Sequence, residues 1–167
     1  MTEPLFNMLF LCTHNSARSI LAEALLNHWA RGRVKAFSAG SHPRAEVNPL
    51  ALQALRAREI SVRGLHSKAW DLFATPKAPR LAVVITVCDS AAGEICPIWP
   101  GGPIKAHWGV EEPSLLAQGK SPDETLNAFI SVLEKLQRRV RLFLDLPLEN
   151  MDSAGLKMEL DRIGKQH

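Results

Sequence analysis

The residues best suited to chemistry follow the first apolar run: Cys12-Thr13-His14-Asn15-Ser16-Ala17-Arg18-Ser19. An apolar segment before Cys12 and helical periodicity from Arg18 predict a strand, a tight loop and a helix. At such a junction successive backbone N–H groups can wrap an oxyanion, aided by the helix dipole. Asn15 and Ser16 are small and polar enough for the backbone this needs. Arg18 can offer two parallel N–H donors to a tetrahedral oxyanion. The same field favours thiolate at Cys12, which predicts a pKa below the usual ~8.5, in the ~3.5–7.5 range of reactive cysteines. Cys12 is then the nucleophile, and Thr13, His14, Asn15, Ser16, Ala17, Arg18 and Ser19 form the oxyanion cradle. No Gly-x-x-x-x-Gly-Lys-Ser/Thr motif is present, which excludes the common nucleotide loop. A buried strand-end cysteine beside a solvated arginine is the plainer reading. It accounts less well for Arg18 together with serines at 16 and 19.

Two further cysteines stand far along the chain. Cys88 closes the apolar run Leu81–Val87, and Cys96 follows within a stretch rich in turn residues, Pro97, Pro100, Gly101, Gly102 and Pro103. A zinc site is disfavoured because no Cys-x2-Cys pair occurs. Simple burial and a thiol relay both remain open on the residues alone.

The elements that must position these groups alternate between apolar strands and amphipathic helices, the pattern of a parallel α/β sheet. Strands are predicted at 5–11, 34–38, 81–87 and 104–108. Helices are predicted from Arg18 to about Ala30, from an Asn48 cap and Pro49 through Arg58, from a Ser121 cap to Leu144, and over 152–163, with a short one at 67–73. The fold class is therefore α/β, a small doubly wound parallel sheet flanked by helices. In such sheets ligands bind at the carboxyl ends of strands, where both Cys12 and Cys88 fall.

At 167 residues the chain is predicted to form a single domain over 1–167, with a core at 5–145 and a C-terminal extension at 146–167. It is 46% hydrophobic and 22% charged with a net charge of +3, too mild and dispersed for a nucleic-acid surface. No apolar run approaches the ~20 residues of a membrane span, and Met1 to Pro4 does not read as a signal peptide. A cytoplasmic, reducing setting is expected, and an odd number of cysteines fits it.

Cys-x5-Arg-Ser directly after the first strand resembles the phosphate loop of low-molecular-weight protein tyrosine phosphatases and of the arsenate reductases built on that fold. Phe37-Ser38-Ala39-Gly40-Ser41-His42-Pro43 with Val47-Asn48-Pro49, and Thr86-Val87-Cys88-Asp89 through His107-Trp108-Gly109, extend the likeness over about residues 5 to 145. His14 stands where many members carry Gly. The change is expected to be tolerated because His visits positive φ more often than most residues.

Between the two branches, the resemblance favours the reductase. Phosphatases of this fold usually have Asp-Pro-Tyr on the acid loop; here the stretch is Glu111-Glu112-Pro113-Ser114, and the chain contains no Tyr. The resemblance implies that Cys12 attacks arsenate, Cys88 attacks Cys12, and Cys96 attacks Cys88. The final disulfide then passes to an external reductant, thioredoxin or glutaredoxin with glutathione. It implies Glu112 as the acid (with Glu111 as its rival), arsenate or phosphate as the bound oxyanion, and no metal or organic cofactor. Phosphomonoester hydrolysis is the alternative activity. Some reductases of this fold bind potassium through ligands that resemble Asn15, Glu23, Ser38 and an Asp after a Ser. Here Lys68 follows Ser67, so its ammonium is expected to replace the ion and pair with Glu23.

Overall fold

The structure is a computed structural model and describes residues 3–94, 97–116 and 118–166. Four strands, β1 (Asn7–Leu11), β2 (Lys35–Ala39), β3 (Leu81–Thr86) and β4 (Ile104–His107), form one sheet. All neighbours are parallel, in the order β2-β1-β3-β4. Among the described residues six α-helices accompany them: α1 (Arg18–Ala30), α2 (Pro49–Ala57), α3 (Asp89–Ala92), α4 (Pro113–Leu116), α5 (Pro122–Leu144) and α6 (Ser153–Gly164).

Parallel strands are covered on both faces, so they read as continuous apolar runs rather than alternating ones. Alternate side chains of β1 accordingly enter different clusters. Met8 and Phe10 join Val83, Ile85 and the inner residues of α1 and α5 on one face. Leu9 and Leu11 join Val84, Phe73 and Trp99 on the other. The inner face of α5 carries Phe129, Val132, Leu133, Leu136, Val140 and Phe143. Burying each such side chain contributes ~1.5–3 kcal/mol before the opposing entropy. At its start, Ser121 accepts from the Glu124 N–H while the Glu124 side chain reaches back to Ser121, a complete capping box. Asn48 likewise caps α2, its Oδ1 accepting from the Leu50 N–H at 2.9 Å.

The C-terminal segment is packed rather than appended. Leu156, Leu160 and Ile163 of α6 enter the main cluster. The Trp108 indole N–H donates to the Leu160 carbonyl at 3.0 Å. Among the described residues, no helix is long and apolar enough to cross a membrane.

Several predicted boundaries shift. The first strand begins at Asn7 because Leu5 is half exposed and its N–H turns to the Arg33 carbonyl. Of the predicted helix over 67–73, only Trp70–Phe73 is helical, as a 3-10 turn. The four-residue helices α3 and α4 were not expected, since four residues are too few to show a 3.6-residue period.

This topology fixes the site. The chain passes from β1 to β2 on one side and then to β3 on the other, so the order reverses between β1 and β3. In open α/β sheets the crevice at that reversal, beyond the strand carboxyl ends, is where ligands bind. Leu11 pairs with Thr86, and the Val87 N–H donates to the Leu11 carbonyl at 2.9 Å. Cys12 therefore stands opposite Val87, one residue short of Cys88.

Candidate active site

Residues 12–17 bend from β1 into α1, and the surroundings engage their carbonyls. The N–H groups of His42, Arg44 and Asn48 donate to the carbonyls of Thr13, His14 and Ser16 at 2.8, 3.0 and 2.9 Å. The Ser67 hydroxyl donates to the Asn15 carbonyl at 2.6 Å. In a trans peptide the carbonyl of one residue and the N–H of the next point in opposite directions. With the carbonyls of 13–16 held outward, the N–H groups of 14–17 aim inward, as an oxyanion cradle requires.

Asn15 takes the left-handed conformation in this loop, with φ 45°. Asn is among the few residues that do so at modest cost, because its side chain bonds locally. The side chain is fully buried and satisfied on both ends. Its amide donates to Ser19 Oγ at 2.8 Å and Ser38 Oγ at 3.0 Å, and its carbonyl oxygen accepts from the Lys68 N–H at 2.9 Å. His14, expected to tolerate positive φ, is not at positive φ; the strain falls one residue later. Beneath the loop, Gly40 admits the close approach: a Cβ there lies 2.5 Å from the Thr13 carbonyl oxygen and 2.7 Å from that of Cys12.

Cys12 is 4% exposed and its sulfur lies 2.8 Å from Ser19 Oγ. Ser19 thus sits beside the candidate nucleophile, accepting from Asn15. The expected depression of the Cys12 pKa is not what the resting pocket gives. Burial pushes the thiol up and outweighs the hydrogen bonds from Ser19 and the attraction of Arg18. One reason is the placement of Arg18, whose guanidinium donates to the Val110 carbonyl at 3.2 Å and to Glu112 Oε2 at 3.1 Å. Ser19→Ala, which removes a contact that lowers the pKa, is expected to move the alkylation midpoint of Cys12 to still higher pH. Carboxymethylation rates followed across pH check this; an unchanged or lower midpoint contradicts it.

Cys88 is a buried free thiol, as is Cys12, and lies close enough to raise the cost of ionising it. Cys88 caps α3, its sulfur accepting from the Ala91 N–H at 3.4 Å. It also lies 3.8 Å from the hydroxyl of Thr13. That hydroxyl donates to Glu94 Oε1 at 3.0 Å. Neither Glu94 nor this second role of Thr13 was legible in the sequence, since nothing in the spacing signals that residue 94 reaches the loop. Cys96 lies outside the described residues.

Glu112 faces the loop through Arg18, and its other oxygen accepts from the N–H and hydroxyl of Ser114 at 3.1 and 2.8 Å. Glu111 turns away to Lys135, which holds its carboxyl below the usual carboxylate range. Arg139, almost fully buried, donates to the Gly109 carbonyl at 2.8 Å and fixes this loop to α5. On the far side of the anion loop, Lys68 Nζ is 3.6 Å from Glu23 Oε1, with both side chains mostly buried. Burial lowers the Lys68 pKa against the pull of Glu23. Glu23 also accepts from Ser38 Oγ at 2.6 Å, so ammonium, carboxylate and hydroxyl form one support behind Asn15.

The sequence profile of the low molecular weight phosphotyrosine protein phosphatases matches residues 7–159. The chain belongs to this family. Within it, an arsenate reductase of Halalkalibacterium halodurans is 31% identical over 136 residues, covering 81% of this chain and 93% of that protein. A solved arsenate reductase in the phosphate-binding state superposes with a TM-score of 0.67 at 25% identity, over 84% of this chain and 98% of its own. A thioredoxin-dependent arsenate reductase of Corynebacterium glutamicum aligns with a TM-score of 0.55 at 27% identity, over 85% of this chain; this chain spans only 65% of that protein.

Proposed function

We propose that this family member reduces arsenate to arsenite through Cys12, Cys88 and Cys96, with thioredoxin as the external dithiol. The observation that carries the reading is a second buried thiol, Cys88, held through Thr13 at the rim of the anion loop. Hydrolysis of a phosphomonoester has no use for it. The arsenate reductases among the relatives, one of them thioredoxin-dependent, support the same reading.

The chemistry proceeds in three thiolate attacks. Arsenate enters the loop, where the N–H groups of 14–17 and the Arg18 guanidinium take its oxygens, drawing Arg18 from Glu112. The Cys12 thiolate forms a sulfur–arsenic bond while one arsenate oxygen leaves as water, taking its proton from Glu112. Cys88 thiolate then attacks the Cys12 sulfur. The electron pair of the sulfur–arsenic bond stays on arsenic, which departs as arsenite, and Cys12 and Cys88 share a disulfide. Cys96 thiolate attacks Cys88, freeing Cys12 as thiolate, and thioredoxin reduces the Cys88–Cys96 disulfide.

Arsenate-dependent NADPH consumption tests the assignment, with thioredoxin and its reductase in one assay and glutathione with glutaredoxin in the other. Turnover with thioredoxin is expected. Absence of arsenate-dependent consumption in both overturns it.

The Lys68–Glu23 pair supports a second element of the reading, that an internal ammonium does here what a bound potassium ion does in some relatives. Arsenate turnover is accordingly expected to be the same in potassium and sodium salts of equal ionic strength. A severalfold activation specific to potassium contradicts it.

A further inference from the structure

We infer that helix α6 and the buried Arg139 of α5 form a clamp that positions the loop carrying Glu112. Arg139 is then a positioning residue rather than a catalytic one. It lies on the inner face of α5 between Leu136 and Phe143, where the stripe is otherwise apolar. It is 5% exposed, and burying a guanidinium there carries a desolvation cost that an apolar side chain would avoid. Among the described residues both of its hydrogen bonds go to backbone carbonyls. Nη1 donates to Gly109 at 2.8 Å and Nη2 to Gln166 at 2.9 Å. Gly109 belongs to the loop after β4. Gln166 follows the last turn of α6, where helix carbonyls lack intrahelical partners and the dipole favours a cation. A planar guanidinium holds two such acceptors in a fixed geometry, as a flexible ammonium does not.

Helix α6 grips the same stretch at two more points. The Leu160 carbonyl accepts from the indole of Trp108, whose ring is buried against Phe10 and Phe143. Gly164 lets the end of α6 close on β4: a Cβ there would lie 2.2 Å from the His107 carbonyl oxygen and 3.0 Å from Trp108 Cδ1. Residues 107–109 are thus held by α5 and α6 together. The next carbonyl, that of Val110, accepts from Arg18, and Glu112 contacts the same guanidinium. A C-terminal helix remote from Cys12 thereby sets where the Glu112 carboxyl stands relative to the anion loop. The consequence for rate rests on Glu112 being the acid of the proposed reaction. The clamp itself does not.

Two variants test it from opposite sides. Arg139→Met takes the donor from both carbonyls, and Gly164→Ala pushes α6 off His107 with Arg139 unaltered. The first reading is amide hydrogen exchange of the resting protein, which needs no arsenate. The Trp108 and Val110 N–H groups donate to the Thr86 and Val87 carbonyls at 2.8 and 3.1 Å. In both variants their exchange is expected to rise about tenfold relative to the amides of β1, the scale of one lost hydrogen bond. The second reading is formation of the first Cys12 adduct in a single turnover. It is expected to slow roughly ten- to a hundredfold, as a misplacement of about 1 Å would cause, while phosphate affinity holds. In a Glu112→Gln background the same substitutions should slow it little further, because the group they misplace is already disabled. Exchange that rises no more at Trp108 and Val110 than in β1 overturns the inference. So does equal slowing with and without the Glu112 carboxyl, which would mark a general loss of structure. Exchange decides the clamp without arsenate, so its failure and that of the reductase assignment are separable.

Discussion

Cys88→Ser is expected to abolish arsenite release while leaving the anion loop intact. Without Cys88 the Cys12 adduct lacks the thiol that the proposed relay uses to take its sulfur, and serine is far too weak a nucleophile to replace it. Loss of turnover should therefore be essentially complete, with at most one arsenic retained per chain on Cys12. The fold should survive, because the Ser hydroxyl can take over the cap that Cys88 makes to the Ala91 N–H. Phosphate should still bind, and any hydrolysis of an aryl phosphate should persist, since that needs only Cys12, Arg18 and an acid. Arsenite measured after a single addition of arsenate to reduced protein checks this; stoichiometric release from Cys88→Ser contradicts it.

The second large effect is expected at Glu112. Proton donation to a leaving oxygen is typically worth ~10²–10⁴-fold, and Glu112→Gln should slow formation of the first adduct by about that much. Gln retains the size and an oxygen to accept from Arg18, so the 3.1 Å contact across the loop mouth can persist without the exchangeable proton. Glu111→Gln should change the rate little, because Glu111 is paired with Lys135 and held ionised away from the loop. Rapid-quench measurement of the single-turnover rate distinguishes the two. If the Glu111 variant is the slower, the acid has been misassigned.

Much of the fold was legible because its signals are local. Asn48 before Pro49, and Ser121 followed three residues later by Glu124, mark helix starts by hydrogen bonds confined to a few residues, and both caps are present as read. The four strands were recognisable from short apolar runs, and Cys12 and Cys88 stand just beyond the carboxyl ends of β1 and β3. The pairing of Lys68 with Glu23 was also anticipated, from the family resemblance around Ser67 and Lys68. What the sequence did not disclose are contacts between residues far apart in the chain. Thr13 and Glu94 are 81 positions apart, and their hydrogen bond depends on the turn that follows Cys88. The expected depression of Cys12 failed for the same reason. The dipole and Arg18 can be read from the sequence, but the burial of Cys12 and the engagement of Arg18 by Glu112 arise only from packing. At the loop, the composition identified residues able to bend the chain, and the packing around Asn15 decided which of them does so.

If the three cysteines act in a fixed order, removing the last of them stops the relay at its final step. Reduced Cys96→Ser protein, given excess arsenate with thioredoxin as the only reductant, is expected to release about one arsenite per chain and then stall. Peptide mapping should find the accumulated disulfide between Cys12 and Cys88, whose strand ends are paired through Leu11 and Val87. Sustained multiple turnover by Cys96→Ser under the same conditions contradicts this order and leaves a relay of only two cysteines.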